Sequence, residues 1–471
     1  MDATRDSELE AALDRAAGWV SDYLATGRSL PVLSQVKPGF LKGVLPARAP
    51  EHGEPLDTLL DDFERLLLPG ITHWNHPRFF AYFAITGSAP GILAELLCAA
   101  LNVNAMLWRT SPAATELEEV TTGWLRAAIG LPASFGMITD TASSSTLYAL
   151  MAARERAGNG ATRTRGVSPG HRVYTSEEAH TSVAKAAMVL GLGDANTVRI
   201  PVDENFAMRP DALRRAIDGD RATGLIPLAI IGTVGTTSTT AIDPIPELVE
   251  IADAENVWLH VDAAYGGAAA VRPDMRWVLD GCERADSLVI NPHKWLFTPI
   301  DCSVLYLREP AWLRAATSLT PHYLTTSEDQ VALNLNEYGH QLGRRFRSLK
   351  LWFVLRALGL EGAREAIGNH VAWAQELRAL LDADPDWEVL APSPFSTLVF
   401  RHRGGDGLNE AIEEALNSSG EAFISHTTVR GSYALRAAIG NLRTTREDVL
   451  LLFDLLKGSA AAVGRGAASS P

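Results

Sequence analysis

Five short apolar runs along the middle of the chain constrain its fold more than any other feature. FGMIT spans Phe135–Thr139, HRVYTS His171–Ser176, LAIIGTV Leu228–Val234, WLHVDAA Trp258–Ala264 and SLVINP Ser287–Pro292. Each ends in small or polar residues, and segments of helical spacing separate them. Strands of a parallel sheet are covered on both faces, so they read as continuous apolar runs and need a crossover before the next strand. The pattern therefore predicts an α/β fold with a mainly parallel central sheet flanked by helices. In such sheets ligands collect at the carboxyl ends of the strands, so the residues that follow each run become the candidates for chemistry.

The chain has 471 residues, more than one core usually organises, and its flanks divide accordingly. Residues 1–88 read as an N-terminal helical arm. Leu9, Leu13, Ala16, Val20 and Leu24 recur at helical spacing within Ser7–Thr26, and Ser7 with Glu10 makes a capping-box pattern. A Pro- and Gly-rich stretch with one helical insert, Leu56–Leu68, completes an arm that packs on a second subunit or wraps the chain's own surface. Residues 89–350 form the large domain. Residues 351–457 read helix, strand, strand, helix (Leu351–Ala357, Ser396–Phe400, Leu435–Ile439, Arg446–Leu456), a smaller α/β C-terminal domain. Residues 458–471, GSAAAVGRGAASSP, are of low complexity and are expected to be disordered.

Charge and cysteine content exclude several classes. The net charge is −14 with no dense Lys/Arg block, so no nucleic-acid partner and no anionic membrane surface is expected. The first residues, MDATRDSELE, lack the apolar core of a secretory signal. The stretch Gly87–Trp108 is the most lipid-like, yet Pro90, Glu95, Asn102 and Asn104 would be costly in hydrocarbon, so it reads as a buried helix of a water-soluble protein. Cys98, Cys282 and Cys302 are sparse and without CxxC spacing, which suits a reducing compartment and predicts neither a disulfide framework nor a metal site. A cytoplasmic enzyme is expected.

The lysines are informative because they are rare. Of 42 basic residues only six are lysines, leaving 36 arginines. Lys294 stands in VINPHKWLF, where an amine is expensive to bury and where Arg cannot replace it in imine chemistry. A lysine snorkelling at a strand end is the plain alternative. Asp262 ends the run WLHVDAA one βαβ length earlier, so adjacent strand ends would bring carboxylate and amine into one crevice. A carboxylate there can keep a pyridine nitrogen protonated, and Ala263 and Ala264 would let a flat ring approach; a structural Asp capping the loop is the alternative. After FGMIT, the residues DTASSST open a helical segment and offer N–H groups, hydroxyls and the helix dipole to a phosphate, though plain N-caps look the same. Asn291 is a further donor. His180, between a strand and a helix, would lie on a ring, poise a carboxylate or serve structure alone. Thr236 and Thr237 offer hydroxyls at the same sheet edge.

At this point a family comes into view. VINPHKWLF, HVDAAYGGAA, HWNHPRFFAYF, SPAATELE, SEEAHTSV, GTVGTTST, NFAMRPDAL and LGRRFRSLKLWFVLRALG together resemble the aromatic-L-amino-acid decarboxylases, group II members of the fold-type-I pyridoxal-phosphate enzymes. The likeness runs in order from about residue 15 to residue 455. It implies pyridoxal 5'-phosphate carried as a Schiff base on Lys294, Asp262 at the pyridine nitrogen and His180 stacked on the ring. It places Ala142, Ser143 and Asn291 at the phosphate, Thr237 and Ala264 along the ring, and His293 beside the cofactor. Tyr323 would be the proton donor on a loop, and Trp74, Tyr82 and Phe83 would line the side-chain pocket. The resemblance further implies a homodimer, a small-molecule amino-acid substrate, and amine and carbon dioxide as products.

The departures bear on substrate. Ala84 and Ile85 replace a Pro–Thr pair of animal members, so Ile85 offers a catechol no hydroxyl. Asp140 and Thr141 replace a Gly–Ser pair, and Arg109 stands where a small residue is usual, with a surface salt bridge as its expected role. Gly343 matches a position where indole-preferring plant members carry Gly and phenol-preferring ones Ser. A tolerant enzyme is expected, taking tryptophan or 5-hydroxytryptophan and phenylalanine, tyrosine or DOPA types, with L-DOPA not favoured. An aromatic aldehyde synthase and a decarboxylase of a non-aromatic acid such as glutamate are the rival readings. Retention of Tyr323 and His180 favours simple decarboxylation over the first.

Overall fold

The computed structural model describes residues 3–83, 85–319 and 325–468. All five expected runs are strands of one seven-stranded sheet: β1 Phe135–Thr139, β2 His171–Ser176, β3 Thr197–Ile200, β4 Ile226–Thr233, β5 Trp258–Asp262, β6 Ser287–Ile290 and β7 Ser303–Leu307, in the order β1-β7-β6-β5-β4-β2-β3. Pairings β2–β3, β2–β4, β4–β5 and β5–β6 are parallel. Only β7 runs against the rest, antiparallel to both β1 and β6. Helices Ala142–Ala157, Ser182–Val189, Pro210–Ala222 and Ile245–Glu255 make the crossovers up to β5, while 3-10 turns (Gly266–Val271, Pro273–Leu279) connect β5 to β6. Leu150, Ala152 and Ala153 of the first helix pack with Val173, Ile231 and Leu305 of the sheet in one buried cluster. Burying one such large side chain is worth about 1.5–3 kcal/mol.

The chain divides into two compact units with boundaries other than those expected. One comprises residues 85–378 with 389–399 and carries the large sheet. The other joins residues 1–84 to 379–388 and 400–471, so the arm is not a separate element from the C-terminal region. Backbone hydrogen bonds explain the union: Val32 N–H donates to Gly420 O at 2.9 Å, Phe80 N–H to Phe423 O at 2.8 Å, and Ala438 N–H to Phe80 O at 2.8 Å. Val32, Phe79 and Ala81 are buried against Phe423.

A second sheet has the order β10-β11-β9-β8, formed by β8 Trp387–Val389, β9 Thr397–His402, β10 Ser425–Val429 and β11 Ser432–Ala438. The helix Ser348–Ala383 is broken at Gly359, whose φ of 64° is left-handed. Two expectations need correction. The last helix runs Arg446–Ala468, through the stretch expected to be a disordered tail, because its alanines are strong helix formers. The lipid-like stretch forms the helix Ala89–Leu101, but only Gly91 and Ala94 are buried, and Leu93, Leu96, Leu97 and Leu101 face outward on the single chain.

Candidate active site

Asp262 ends β5, in register with Thr233 of β4 and Val289 of β6. Its side chain is buried, and Oδ1 accepts the Ala264 N–H at 3.1 Å. His260, two residues earlier on the same face of the strand, is buried beneath it. The His260 Nδ1 meets Ser287 Oγ at 2.9 Å, and that hydroxyl also accepts Trp258 Nε1–H at 2.9 Å. On its other side Nε2 meets Thr146 Oγ1 at 3.4 Å. Burial pushes the His260 imidazole down to about 4, against the upward pull of Asp262. The strand under the carboxylate is thus held by a neutral polar chain that the sequence did not disclose.

Lys294 lies one strand further along, on the short turn Pro292–Trp295 after β6. One backbone bond stitches this turn to the Asp262 loop, Asn291 N–H to Ala264 O at 3.1 Å, and a second closes the turn itself, Lys294 N–H to Asn291 O at 2.9 Å. Trp295 anchors it, buried and stacked on Tyr265 at 5.0 Å, with its Nε1–H donating to His370 Nδ1 at 3.0 Å. His293 is committed to the scaffold. Its Nδ1 accepts the Cys302 N–H at 2.9 Å, and burial with the neighbouring Lys294 charge pushes it down to about 3. This bond ties the Lys294 turn to the residue before β7.

His180 follows β2 and is solvent-accessible, while Ser182 beside it is buried. The His180 Nδ1 accepts the Ser182 N–H at 3.2 Å and lies 2.8 Å from Ser182 Oγ. Partial burial lowers the imidazole pKa; Asp262 raises it, and Lys294 and Lys185 lower it. Asp262 at the end of β5 and Lys294 on the turn after β6 thus both bear on His180, which follows β2, at the carboxyl edge of the sheet.

The remaining candidates are placed as follows. The helix Ala142–Ala157 begins without a side-chain cap from Thr141, whose N–H instead donates to Asp140 Oδ1 at 2.6 Å. Ala142 is half-buried and Ser143 exposed at that N-terminus. Thr237 is exposed, whereas Thr236 is buried and spent inside its turn, its Oγ1 3.0 Å from Thr239 Oγ1 and accepting the Ala241 N–H at 3.0 Å. Ile85 is half-buried. Gly343 is exposed, and a Cβ there would meet only Asn104 Nδ2, at 3.9 Å. Asn104 was missed as a candidate; the only signal was a polar residue inside an apolar stretch. Arg109 makes the expected surface pair, 3.5 Å from Glu328 Oε2, a contact of little energetic weight. Trp74, Tyr82 and Phe83 belong to the other unit, where Trp74 stacks on Tyr82 at 5.8 Å and Arg436 covers the Phe83 ring at 4.5 Å. Ala84 and Tyr323 lie outside the described residues.

The residues fit pyridoxal phosphate on structural grounds. The Asn291 side-chain oxygen is buried and meets no partner among the described residues, an expense that a bound ligand would relieve. The uncapped helix N-terminus offers N–H groups to an anion. Ala263 and Ala264 leave flat, buried backbone beside Asp262. With the order of its strands, this crevice belongs to the fold-type-I class of pyridoxal-phosphate enzymes. Residues 38–403 match the pyridoxal-dependent decarboxylase conserved domain. The chain belongs to that family and is a pyridoxal-phosphate-dependent carboxy-lyase.

Its relatives cover nearly its whole length. Tryptophan decarboxylase 2 of Oryza sativa subsp. japonica is 39% identical over 477 residues, covering 97% of this chain and 95% of the relative. Phenylacetaldehyde synthase of Arabidopsis thaliana is 39% identical, covering 94% of each. The crystal structure of Oryza sativa TDC with PLP and tryptamine is similar with a TM-score of 0.94 at 34% identity, covering 98% of this chain and 99% of that one.

Proposed function

We propose that this decarboxylase acts on an aromatic L-amino acid and releases carbon dioxide and the corresponding amine. The observation that carries the assignment of the site is the backbone bond from Asn291 N–H to Ala264 O at 3.1 Å, which joins the Lys294 turn to the Asp262 loop. The aromatic substrate class is supported by the relatives named above and by the Trp74, Tyr82 and Phe83 cluster. On this reading Lys294 holds the cofactor through its amine, and Asp262 holds a proton on the pyridine nitrogen. Ala142, Ser143 and Asn291 bind the phosphate, and Thr237 and Ala264 flank the ring. Bound pyridoxal phosphate supplies the electron sink for the pair left at Cα when carbon dioxide departs. His180 covers the ring and orients the substrate carboxylate. Tyr323 delivers the proton to Cα, and its loop excludes water and dioxygen while it does so. Gly343 and Ile85 face the substrate's side chain.

The enzyme works on this reading as a homodimer in the cytoplasm. Leu9, Leu13, Leu93, Leu96 and Leu101 are about half exposed on the single chain, apolar area of the kind that a symmetric partner covers. All three cysteines are free, and among the described residues no helix is long and apolar enough to cross a membrane.

The test is direct. Holoenzyme given an equimolar panel of amino acids is expected to convert aromatic ones to amine and carbon dioxide in equal amounts. Borohydride is expected to fix the cofactor on the peptide containing Lys294, and Lys294→Arg to fold without that linkage. Aldehyde, ammonia and peroxide in place of amine would make the chain an aldehyde synthase. Preference for glutamate, or reduced cofactor on another lysine, would overturn the reading.

A further inference from the structure

The contact between His180 and Ser182 determines more than the position of a ring. Both hydrogen-bonding groups of Ser182 converge on Nδ1: the backbone N–H at 3.2 Å and the hydroxyl at 2.8 Å. A backbone N–H can only donate, so Nδ1 presents its lone pair and carries no proton. The hydroxyl must then donate into the same lone pair, and the single proton of the neutral ring resides on Nε2. A second proton at Nδ1 would be driven against an N–H that cannot turn away. The hydroxyl has no easy alternative, because Ser182 is buried at 3% exposure while His180 itself reaches solvent.

We propose that Ser182 is a positioning residue that holds His180 neutral with its proton on Nε2, so that the ring presents an N–H rather than a lone pair to an incoming carboxylate. The inference rests on the role given to His180 above and extends it to the residue that fixes its protonation state. The tautomer matters because a lone pair aimed at that carboxylate would repel it, whereas an N–H on Nε2 donates to it. Partial burial of the ring favours the neutral form, with Lys294 and Lys185 acting the same way against the pull of Asp262, the largest of the three charge effects, and Ser182 adds the directional part that these do not supply. Thr181, next in sequence, is exposed, and no hydrogen bond of its side chain to the imidazole is seen. The serine is therefore the element of SEEAHTSV that orients the histidine.

Nitrogen-15 labelling of the 12 histidines, with His180 assigned by its loss in His180→Asn, tests the proposal in apo- and holoenzyme. Wild type is expected to show an Nε2–H tautomer and a ring pKa below the ordinary 6.5. In Ser182→Ala the ring should bind its second proton about tenfold more tightly, the loss of one hydrogen bond to the neutral form, and the acid limb of kcat/KM should move up with it. Ser182→Thr should restore both, and Ser182→Cys, equal in shape but a weaker donor, should fall between if the alanine variant folds poorly. A proton on Nδ1 in wild type, or a ring pKa unchanged in both the alanine and cysteine variants, would overturn the proposal. Movement of the ring pKa without movement of the acid limb would support the hold by Ser182 and refute the role of His180 in the reaction.

Discussion

At the scale of single residues, what the sequence discloses is chemistry that cannot be supplied otherwise. Lys294 stood out because this chain uses Arg nearly everywhere else, and Asp262 because a carboxylate at the end of an apolar strand must have a reason to be there. His260, Ser182 and Asn104 were not legible, since each acts through a partner fixed by the fold: Ser287 on the neighbouring strand, the Nδ1 lone pair of His180, and the backbone of Arg344. His293 was singled out for its place beside Lys294, while the bond of its Nδ1 to the Cys302 N–H was not legible. Gly343 gives a prediction at this scale. Its φ is not in the left-handed region, and an added Cβ makes only ordinary contact with the Asn104 amide at 3.9 Å. Gly343→Ser should therefore leave stability unchanged. It should shift the ratio of kcat/KM values from tryptophan towards tyrosine by roughly tenfold, the scale of one small group in a pocket. A ratio unchanged in steady-state assays would remove Gly343 from the substrate pocket.

At the scale of elements, five strands of the large sheet were legible because each is a continuous apolar run closed by turn residues, and β9 and β11 of the second sheet were legible as well. Thr197–Ile200 was not, being four residues long with an outward arginine. Ser303–Leu307 was not anticipated either: it is apolar, but it follows the Lys294 turn without a crossover segment, so spacing gave no signal for an antiparallel strand. The contacts that join elements were equally hidden. Glu118 on the helix Pro112–Ala128 accepts the Ile138 N–H of β1 at 2.7 Å and Arg344 Nη2–H at 2.7 Å, while Arg344 also donates to Ile138 O at 2.8 Å. Both side chains are buried, so the pair joins helix, strand and the segment after Gly343 at a point shielded from water. Glu118→Ala would leave a buried guanidinium and an N–H of the strand without their acceptor. Breaking such a pair from one side costs about 3–5 kcal/mol, so a marked fall in the chemical denaturation midpoint is expected. A midpoint within experimental error of wild type would show that the pair contributes nothing net.

At the scale of the whole molecule, the union of the arm with residues 400–471 was not legible because the contacts that make it are hundreds of positions apart in sequence. Buried titratable groups in both units then set how stability responds to pH. Burial is the leading cause in each case: it pushes His76 and His260 down to about 4, His293 to about 3, and Asp243 up to about 7. Each histidine is neutral when folded and takes up protons near 6.5 when unfolded. Its contribution is therefore complete above pH 6.5 and is lost as pH falls through the folded value. Asp243 has the opposite sign, since its contribution is complete below its unfolded value and is lost as pH rises through 7. Three groups oppose one, so acidification from pH 6.5 to 4 should destabilise the protein. For His260 alone the change is on the order of 3 kcal/mol, because each tenfold difference in proton affinity between folded and unfolded chain is worth about 1.4 kcal/mol. His260→Gln keeps hydrogen-bonding capacity towards Ser287 and Thr146 but has no proton to gain. Urea midpoints at pH 7.5, 6.0 and 4.5 should fall more steeply for wild type than for His260→Gln, with the two curves approaching each other towards pH 4. Parallel curves over the whole range would mean that His260 does not change its charge on unfolding, and that the acid response of the molecule originates elsewhere.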